Sequence, residues 1–355
     1  MKRILVTGGA GFVGTHLALN LARDRQGCEV IALDNLSRSG SELNLSRLRQ
    51  GGVRFVHGDV RELEDLEAVG AVDALIECSA EPSVHAGYDA SPAYLLRTNL
   101  WGAVNCLEHL RRHGGALIFI STSRVYPIDP MRDLPLQQLE TRLTLPNNAS
   151  GLGWSHAGIS EAFPLEGHRS LYGTTKLSAE LLIQEYAAMY GLKAVVNRCG
   201  VLAGPWQMGK VDQGFIALWM ARHIFDGPLK YIGFGGTGKQ VRDVLHVDDL
   251  YALIDTQLKN MTSLSGGLYN VGGGHACSVS LQELTERCQA MSGCNLSIGS
   301  DPDTRDADIP YYVTNNAHVM QACGWQPQHS VDDLLEDVHR WILDHKKMLE
   351  PILGN

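Results

Sequence analysis

The first 200 residues alternate between short apolar runs and longer segments in which apolar residues return every three or four positions. The short runs are typical of buried strands, and the longer spacing is typical of amphipathic helices. Strands are predicted at 3–7, 29–33, 54–56, 73–77, 116–121 and 194–198. Helices are predicted near 12–23, 62–68, 92–113 and 172–190. This alternation predicts an α/β fold in which helices cover both faces of a doubly wound parallel sheet.

The pattern changes after residue 200, where glycine and proline interrupt it more often. Segments 228–233 and 239–244 are predicted to form a β-hairpin across the glycine-rich turn between them. Helices are predicted at 213–225, 247–258, 279–291 and 331–348. These elements predict a smaller C-terminal lobe that follows the sheet.

We expect two domains whose boundary is crossed more than once. Residues 1–200 and 239–262 would form a nucleotide-binding domain, and residues 201–238 and 263–355 a substrate domain. Ligands of open α/β sheets bind at the carboxyl ends of the strands, so the smaller lobe would close a cleft over that edge. The stretch 127–170 has little periodicity, which predicts either a functional lid or a surface insertion.

A glycine-rich turn follows the first predicted strand. Gly8, Gly11 and Gly14 stand between the apolar run 4–6 and the helical segment that begins near Phe12. Gly8 allows a tight turn, Gly11 lets a pyrophosphate approach the backbone, and Gly14 lets the helix pack on the strand. The helix N-terminus then directs free N–H groups at the phosphates. The order of strand, glycine turn and helix predicts a Rossmann-type dinucleotide site.

An acidic residue ends the second predicted strand. Asp34 lies 20 residues after Gly14, where a carboxylate accepts hydrogen bonds from ribose hydroxyls and repels a 2′-phosphate. This favours NAD over NADP as the cofactor, although Arg38 nearby weakens the preference. Asp59 follows the third strand and is either an adenine contact or the cap of a strand-to-helix turn.

A tyrosine and a lysine begin the helix predicted at 172–190. Tyr172 and Lys176 are four residues apart and therefore share one helix face. A phenol ionises near pH 10, but a neighbouring ammonium and a cationic nicotinamide would both favour its phenolate. Tyr172 is therefore a candidate general base. Thr122, at the end of the strand predicted at 116–121, would lie on the same edge of the sheet and hydrogen-bond a sugar hydroxyl or carbonyl.

Composition excludes several classes of partner. The net charge of −9 argues against nucleic acid, and no apolar run is long enough to cross a membrane. The chain begins Met-Lys-Arg and enters its first strand at once, so we expect no signal peptide and a cytoplasmic protein. The eight cysteines are scattered without a C-x-x-C pair, which predicts buried, reduced thiols. No metal is expected at the site.

These motifs together resemble those of the extended short-chain dehydrogenases/reductases that act on nucleotide sugars. The resemblance rests on Thr7-Gly-Gly-Ala-Gly-Phe-Val-Gly14, Asn99, Thr122 and the Tyr172/Lys176 pair, and it extends to about residue 340. Within that family, the chain most resembles epimerases that act at C2 of a CDP-linked sugar. The segments that carry this closer resemblance are 33–38, 55–59, 140–142, 212–214 and 235–246, together with the 46-residue interval between Tyr126 and Tyr172.

The resemblance implies a reaction cycle and a set of site residues. Tyr172 would deprotonate a sugar hydroxyl while hydride passes to a retained NAD, and hydride would return to the opposite face of the keto-sugar. Asn99 would brace the backbone and a water near Lys176. Contacts with NAD are implied for Gly8, Gly11, Phe12, Val13, Gly14, Asp34, Asn35, Ser37, Arg38, Asp59, Val60, Ser79, Ala80, Asn99, Tyr172 and Lys176. Contacts with the nucleotide-diphosphate sugar are implied for Ser83, Thr122, Ser123, Arg124, Gln213, Arg242 and Arg305, with Trp206 as a further candidate.

Other readings stay open within and outside this family. A nucleotide-sugar 4-epimerase with the same Tyr/Lys pair is the nearest alternative, and an NAD(H)-binding regulator is the non-enzymatic one. Dehydration is less expected, because Ser123-Arg124 follow Thr122 where the family's dehydratases carry Asp-Glu. The family also implies a homodimer formed through the helices at 92–113 and 172–190.

Overall fold

The computed structural model describes residues 1–88, 90–210 and 213–354. Asp212, which belongs to the segment 212–214 quoted above, lies outside the described residues. In the part described, none of the helices combines the length and the apolar character needed to cross a membrane.

A seven-stranded sheet forms the centre of the molecule, and every pair of neighbouring strands in it is parallel. Its spatial order is Leu268–Val271, Lys193–Cys199, Ala116–Thr122, Ala74–Glu77, Arg3–Thr7, Glu29–Asp34 and Arg54–His57. The six strands predicted in the first 200 residues are confirmed. The seventh, Leu268–Val271, was not predicted. The order reverses beside Arg3–Thr7, which places the switch point of the sheet at the glycine turn.

Helices cover both faces of this sheet, as predicted. Ile4 and Val6 face the core beneath the helices Phe12–Asp24 and Val247–Lys259, whereas Leu5 faces the opposite core beneath Gly102–His113 and Leu171–Tyr190. Successive side chains of a strand point to opposite faces, so a strand buried on both faces is apolar throughout. The helices in chain order are Phe12–Asp24, Asn44–Gln50, Leu63–Glu67, Ala93–Leu95, Gly102–His113, Ile128–Arg132, Leu171–Tyr190, Phe215–Phe225, Val247–Lys259, Met261–Leu264, Leu281–Ser292, Ala317–Cys323, Val331–Asp344 and Lys346–Leu353.

The helix predicted at 92–113 has an irregular centre. A π-helical segment, Leu96–Trp101, joins Ala93–Leu95 to Gly102–His113, so that the three segments form one continuous helix. Such wide turns often occur at functional sites. Asn99, a candidate site residue, lies within this segment and is buried.

The smaller lobe has a separate apolar core. It packs the helices Phe215–Phe225, Leu281–Ser292, Val331–Asp344 and Lys346–Leu353 against one another and against the strand Val241–His246. That strand pairs with Val201–Ala203, Ser278–Ser280 and Tyr311–Tyr312.

The hairpin predicted from 228–233 and 239–244 is wrong. Lys230–Ile232 pairs in parallel with Gly299–Asp301, and the two predicted arms do not pair with each other. The glycine run between them packs on the strand Gly299–Asp301, because a Cβ at Gly236 would lie 2.1 Å from the Ser300 hydroxyl oxygen. The glycines thus allow a close approach between segments distant in sequence instead of closing a local turn.

The two-domain division stays a prediction, but the structure shows where its segments lie. The helix Val247–Lys259, from the segment 239–262, packs on the large sheet together with the first helix of the chain. The strand Leu268–Val271, from the segment 263–355, also belongs to that sheet. If the domains are divided according to the sheet that each strand joins, residues 268–271 belong to the nucleotide-binding domain and not to the substrate domain.

The stretch 127–170 is structured despite its weak periodicity. It contains the helix Ile128–Arg132 and short strands that pair as Gln137–Gln138 with Leu143–Thr144 and as Ser150–Gly151, Trp154–Ser155 and Gly158–Ile159. Its apolar side chains share a core with the smaller lobe, in which Leu145, Ile159, Phe163, Tyr311 and Tyr312 are buried. Packing against a distant segment, rather than a repeating local pattern, shapes this part of the chain.

Candidate active site

The glycine turn forms a cradle at the carboxyl edge of the sheet. Gly8 has a positive φ of 61°, and a Cβ at Gly14 would lie 2.1 Å from the carbonyl oxygen of Gly8. The helix Phe12–Asp24 starts directly after Gly11 without a side-chain cap, so its first N–H groups remain available to an anion. Phe12 and Val13 line the cavity beside these glycines. This arrangement fits a dinucleotide pyrophosphate.

The acidic residues expected near the adenosine form a network beside the cradle. The Asp34 carboxylate accepts hydrogen bonds from the amides of Ala10 at 3.1 Å and Leu36 at 2.8 Å. Burial raises the pKa of Asp34. Asn35 donates to the Asp59 carboxylate at 2.8 Å. Asp34 therefore shapes the loop after its strand, and its contact with a ribose stays a prediction.

Asp59 also pairs with a neighbouring arginine. Arg61 lies 2.5 Å from its carboxylate, and although burial opposes ionisation, this contact and Asn35 lower the pKa of Asp59 to about 2. Val60 is buried against Gly102 in the core, and the Ser37 hydroxyl contacts that of Tyr94 at 2.9 Å. The expected contacts of Asn35, Ser37, Asp59 and Val60 with NAD stay predictions.

Arg38 is engaged by residues that follow the sheet's sixth strand in the chain, Met208 and Gln213. Its guanidinium donates to the Gln213 side-chain oxygen at 2.5 Å and to the Met208 carbonyl at 3.3 Å. Gln213 in turn donates to Glu81 at 3.5 Å. Arg38 thus links the second strand's loop to the smaller lobe, which supports the preference for NAD that Asp34 indicates.

A cavity of about 690 Å³ lies between the sheet edge and the smaller lobe. The glycine turn, Ala80, Thr122, Tyr172 and Lys176 line it on the sheet side. The lobe side contributes the residues Trp206, Gln213, Arg242, Arg305 and Asp308, and Ser123 and Arg124 lie between the two sides. One cavity therefore contains both the candidate catalytic residues and most of the candidate substrate residues.

Thr122, Tyr172 and Lys176 meet where their elements end or begin. Thr122 is the last residue of the strand Ala116–Thr122, and Ser170 caps the helix that carries the other two. Thr122 and Tyr172 line the same cavity, and Thr122 partly opposes the rise that burial causes in the pKa of Tyr172. The side chain of Tyr172 is 9% exposed and that of Lys176 is 2% exposed, so both are almost sheltered from water.

A buried carboxylate that the sequence interpretation missed pairs with the lysine. Glu77 Oε2 lies 3.2 Å from Lys176 Nζ, and both side chains are 2% exposed. The ammonium also lies over the Phe119 ring, 4.4 Å from its centroid. Burial works against the charge of Lys176, but Glu77 and then Tyr172 outweigh it and raise its pKa. Glu77 ends the strand Ala74–Glu77, and the strand-end rule that selected Thr122 could have found it.

The ionisation of Tyr172 differs from the expectation. Lys176 does favour the phenolate, but burial is the larger effect and raises the pKa of Tyr172 above its usual value. Glu77 offsets part of the lysine charge because it lies beside the ammonium. Burial therefore outweighs the lysine, although Thr122 and Arg124 also act to lower the pKa of Tyr172. The positive charge of a bound nicotinamide would add to these influences.

Asn99 braces the loop after the strand Ala74–Glu77. Its side-chain oxygen accepts from the Glu81 amide at 2.8 Å, and its side-chain nitrogen donates to the Glu81 carbonyl at 3.0 Å and to Thr175 at 3.4 Å. Ser79 lies in the same loop and is buried, while Ser83 accepts from the His85 amide at 3.2 Å. The backbone contact expected of Asn99 is present, and its role toward a water stays a prediction.

Three guanidinium groups, those of Arg124, Arg242 and Arg305, give this part of the cavity a positive charge. Arg242 donates to the carbonyls of Val241 at 2.8 Å and Ile309 at 2.6 Å, and Arg124 donates to the carbonyl of Ala307 at 3.3 Å. Burial, and then repulsion by Arg124, lowers the pKa of Arg242 to about 9. Arginines held by carbonyls keep their positive charge and direct it at a ligand, which suits phosphate oxygens.

One carboxylate accompanies these arginines. Asp308 lies 3.1 Å from Arg305 and 3.4 Å from His85. Although its burial opposes ionisation, His85 and Arg305 hold the pKa of Asp308 well below its usual value. Asp308 is the only acidic residue among the described residues that line the cavity. The sequence interpretation missed it, because it follows a loop of no recognisable motif.

Trp206 lies deeper in the lobe than expected for a simple pocket residue. It lines the cavity, yet its ring stacks with the Arg47 guanidinium at 4.0 Å and contacts the Trp341 and His345 rings. It adopts a positive φ of 70°. Its role in holding a sugar or base therefore stays a prediction.

Comparison with known proteins places the chain in one family. Residues 4–272 match the model of the NAD dependent epimerase/dehydratase family. The chain is 30% identical over 347 residues to the CDP-paratose 2-epimerase of Salmonella typhi, a match that covers 96% of this chain and 98% of the relative. It is 31% identical to a dTDP-glucose 4,6-dehydratase of Mycobacterium tuberculosis, over 99% of this chain and 96% of that protein.

Solved structures agree with the sequence relatives. The UDP-glucose 4-epimerase of Thermotoga maritima, solved with UDP-glucose, matches 98% of this chain and all of its own at a TM-score of 0.77 and 26% identity. A dTDP-glucose 4,6-dehydratase from Streptomyces venezuelae, solved with NAD, matches 99% of both chains at a TM-score of 0.78 and 27% identity. With its glycine cradle, its Tyr172/Lys176 pair and these matches, the chain belongs to the NAD-dependent epimerase/dehydratase family.

Proposed function

We propose that this chain epimerises a nucleotide-diphosphate sugar and that its substrate is a CDP-linked sugar inverted at C2. The observation that carries the proposal is the shared cavity, which has Thr122, Tyr172 and Lys176 on one side and the arginines of the lobe on the other. The relative from Salmonella typhi supports the choice of CDP and of C2. The nearest alternative, inversion at C4, is supported by a 27% identical UDP-glucose 4-epimerase from Erwinia amylovora.

The sheet side of the cavity supplies the proton chemistry. Tyr172 takes the proton of a sugar hydroxyl, and Thr122, which lines the same cavity, orients that hydroxyl. The Lys176 ammonium stabilises the phenolate. The turn that contains Gly8, Gly11 and Gly14 would hold NAD, which would supply reversible hydride transfer when bound. Tyr172 returns the proton when the carbonyl of the keto-sugar is reduced from its other face.

The lobe side of the cavity is suited to holding the substrate while its keto-sugar rotates to present the opposite face. Arg242 and Arg305 would hold the diphosphate, since guanidinium groups match its oxygens in pairs. A cavity of about 690 Å³ leaves room for the sugar to rotate while the diphosphate stays fixed. Binding energy spent on the part of the substrate that does not react thus restricts its motion to the productive turn.

Dehydration is less well supported than epimerisation. Loss of a C6 hydroxyl needs an acid beside the threonine, whereas this chain has Ser123-Arg124 there. Arg124 is anchored on the Ala307 carbonyl, and Asp308 is engaged by Arg305 and His85. Neither group is placed as a free proton donor for a leaving hydroxyl.

The chain is also proposed to form a homodimer through the helices that the family resemblance implies. Large apolar side chains are exposed there, among them Trp101 at 56%, Leu181 at 55% and Met189 at 66%. Leu181 and Met189 lie eight residues apart on the helix Leu171–Tyr190. Exposed apolar surface of this kind is typical of a protein interface.

The proposed activity predicts turnover without added cofactor. Purified protein incubated with CDP-, UDP-, GDP- and dTDP-hexoses should convert a CDP-sugar fastest, and NMR of the product should show inversion at C2. In deuterated water the inverted carbon should carry no deuterium, because the hydride comes from the sugar itself. Inversion at C4 would favour the alternative, and no turnover of any of these sugars would contradict the proposal.

Substitution of the tyrosine separates chemistry from binding. Tyr172→Phe removes the proton acceptor and should lower kcat by about 10²–10⁴-fold or more. NAD content, measured by mass spectrometry of the nucleotides released on denaturation, should match that of the wild type. Tyr126→Phe is the control, because Tyr126 bonds Asn270 and Arg198 away from the cavity wall. Unchanged kcat in Tyr172→Phe would remove Tyr172 from the mechanism.

Neutralising the carboxylate beside Lys176 should shift the pH dependence. Glu77→Gln leaves the ammonium charge unopposed, so the pKa of Tyr172 should fall and the acidic limb of the kcat/KM profile should move about 1 unit lower. Glu77→Asp keeps the charge and should keep the limb close to that of the wild type. Circular dichroism checks that both variants fold, and an unmoved limb in Glu77→Gln would show that Glu77 does not affect the base.

The proposed interface predicts a change of assembly. The wild type should sediment as a dimer, and Leu181→Glu combined with Met189→Glu should sediment as a folded monomer, because two charges would be buried without partners. Leu152→Glu is the matched control, since Leu152 is 70% exposed but lies outside these helices. A wild-type monomer would overturn the dimer.

A further inference from the structure

Two histidines and a glutamate meet at the edge of the sheet opposite the active site. His109 and His113 are one turn apart on the helix Gly102–His113, and Glu67 ends the helix Leu63–Glu67 packed beside it. The helix Gly102–His113 leads into the start of the strand Ala116–Thr122, whereas the cavity lies at the carboxyl end of that strand. The three residues line no part of the cavity, so the proposed epimerisation does not use them.

His109 has polar atoms that the described residues leave unsatisfied. Its side chain is 0% exposed, and neither of its ring nitrogens has a hydrogen-bond partner there. A buried imidazole without partners costs free energy, and such groups in native proteins call for an explanation. The ring belongs to the cluster, since its centroid lies 4.9 Å from that of His113.

The ligand atoms of the three residues converge. One nitrogen from each histidine and one Glu67 oxygen all lie within 4.8 Å of one another, and His113 Nε2 is 2.6 Å from Glu67 Oε2. Ligands of a tetrahedral Zn²⁺ at about 2.0–2.1 Å are separated by about 3.3 Å, so small side-chain rotations would complete the geometry. Histidines at i and i+4 present their rings on one helix face, which is the arrangement of the zinc-binding helix motif.

We propose that Glu67, His109 and His113 bind one divalent transition-metal ion, with Zn²⁺ as the best fit. Two imidazoles and one carboxylate form a ligand set that Zn²⁺ accepts, and partial exposure of Glu67 and His113 lets water take the fourth position. Binding gives His109 a partner and displaces the proton shared by His113 and Glu67. The ion would join the two helices on which the three residues lie.

Arg112 is the neighbouring charge that opposes the ion. Its guanidinium lies 3.3 Å from Glu67 Oε1, the carboxylate oxygen that does not contact His113. It also lies 3.9 Å from Glu108, so it keeps a second carboxylate when Glu67 turns to the metal. Arg112 is half exposed, and water screens its repulsion.

A second cluster of similar composition is a weaker site. His246, Asp248 and His329 also bring their ligand atoms within 4.8 Å. However, the rings of His246 and His329 stack face to face, with 4.3 Å between their centroids and an interplanar angle of 22°. Their nitrogens are therefore not directed at one point between them. His246 Nδ1 is already the cap of the helix Val247–Lys259, where it accepts the Asp248 amide. This second cluster supplies the control.

The test uses the full chain without an affinity tag. Titration with Zn²⁺ in a calorimeter should show one saturable site per chain, and Co²⁺ should give the visible absorption of a tetrahedral complex that Zn²⁺ displaces. Affinity should fall in acid, since protonated imidazole does not bind the ion. Zn²⁺ should also raise the Tm of the wild type, because it binds only the folded chain.

Variants decide where the ion binds. His113→Gln, at a partly exposed position, should weaken Zn²⁺ binding on the order of 100-fold or more, since even residues that only orient a ligand are worth 10–100-fold. His109→Leu should do the same and should fold without the metal, because it removes the unpartnered nitrogens. His329→Ala should bind as the wild type does. The proposal is overturned by the absence of saturable binding, by unchanged binding in both His113→Gln and His109→Leu, or by loss of binding in His329→Ala alone.

Discussion

The site depends on the close approach of the backbone at the two ends of the glycine turn, Gly8 and Gly14. No Cβ fits at Gly14, because it would lie 2.1 Å from the carbonyl of Gly8. The helix Phe12–Asp24 can therefore start directly against the strand Arg3–Thr7, with its free N–H groups at the sheet's switch point. The strands Ala74–Glu77 and Ala116–Thr122 end at the same edge of the sheet, which places Thr122 in the cavity wall and Glu77 beneath it, beside Lys176.

The electrostatics of the site arise from burial on one side and from anchored cations on the other. On the sheet side, Lys176 is neutralised in part by Glu77, and burial keeps the Tyr172 phenol protonated. On the lobe side, carbonyl groups hold Arg124 and Arg242 in place, and burial, followed by repulsion between them, lowers the pKa of Arg242 to about 9. An anionic ligand would relieve this repulsion. The cavity thus favours a ligand with a neutral, reactive end and a negatively charged one.

Local patterns predicted most of the large sheet, because parallel strands buried on both faces are short apolar runs and their helices have a clear spacing. Tyr172, Lys176 and Thr122 were predicted to share one edge because strand ends and helix starts meet there, and the structure brings them together in one cavity. The false hairpin and the missed strand Leu268–Val271 have a common cause. In both, the partner strand is distant in sequence, so a local pattern does not specify it. Glu77 was missed for a different reason. The strand-end rule could have selected it, but its partner Lys176 lies on a helix that is 99 residues away in sequence.

The π-helical turn Leu96–Trp101 contains one residue more than an α-helical turn of the same span. This extra residue determines which side chains face the active site and which face the core. Within this turn, Asn99 faces the loop at Glu81; after it, Leu107 and Leu110 face the core of the sheet. One residue corresponds to about 100° of rotation in an α-helix. Deletion of one residue here would make the helix regular. Asn99 could then no longer face Glu81 while Leu107 and Leu110 face the core of the sheet. The wide turn therefore keeps Asn99 on the loop at Glu81 and the leucines on the core of the sheet at the same time.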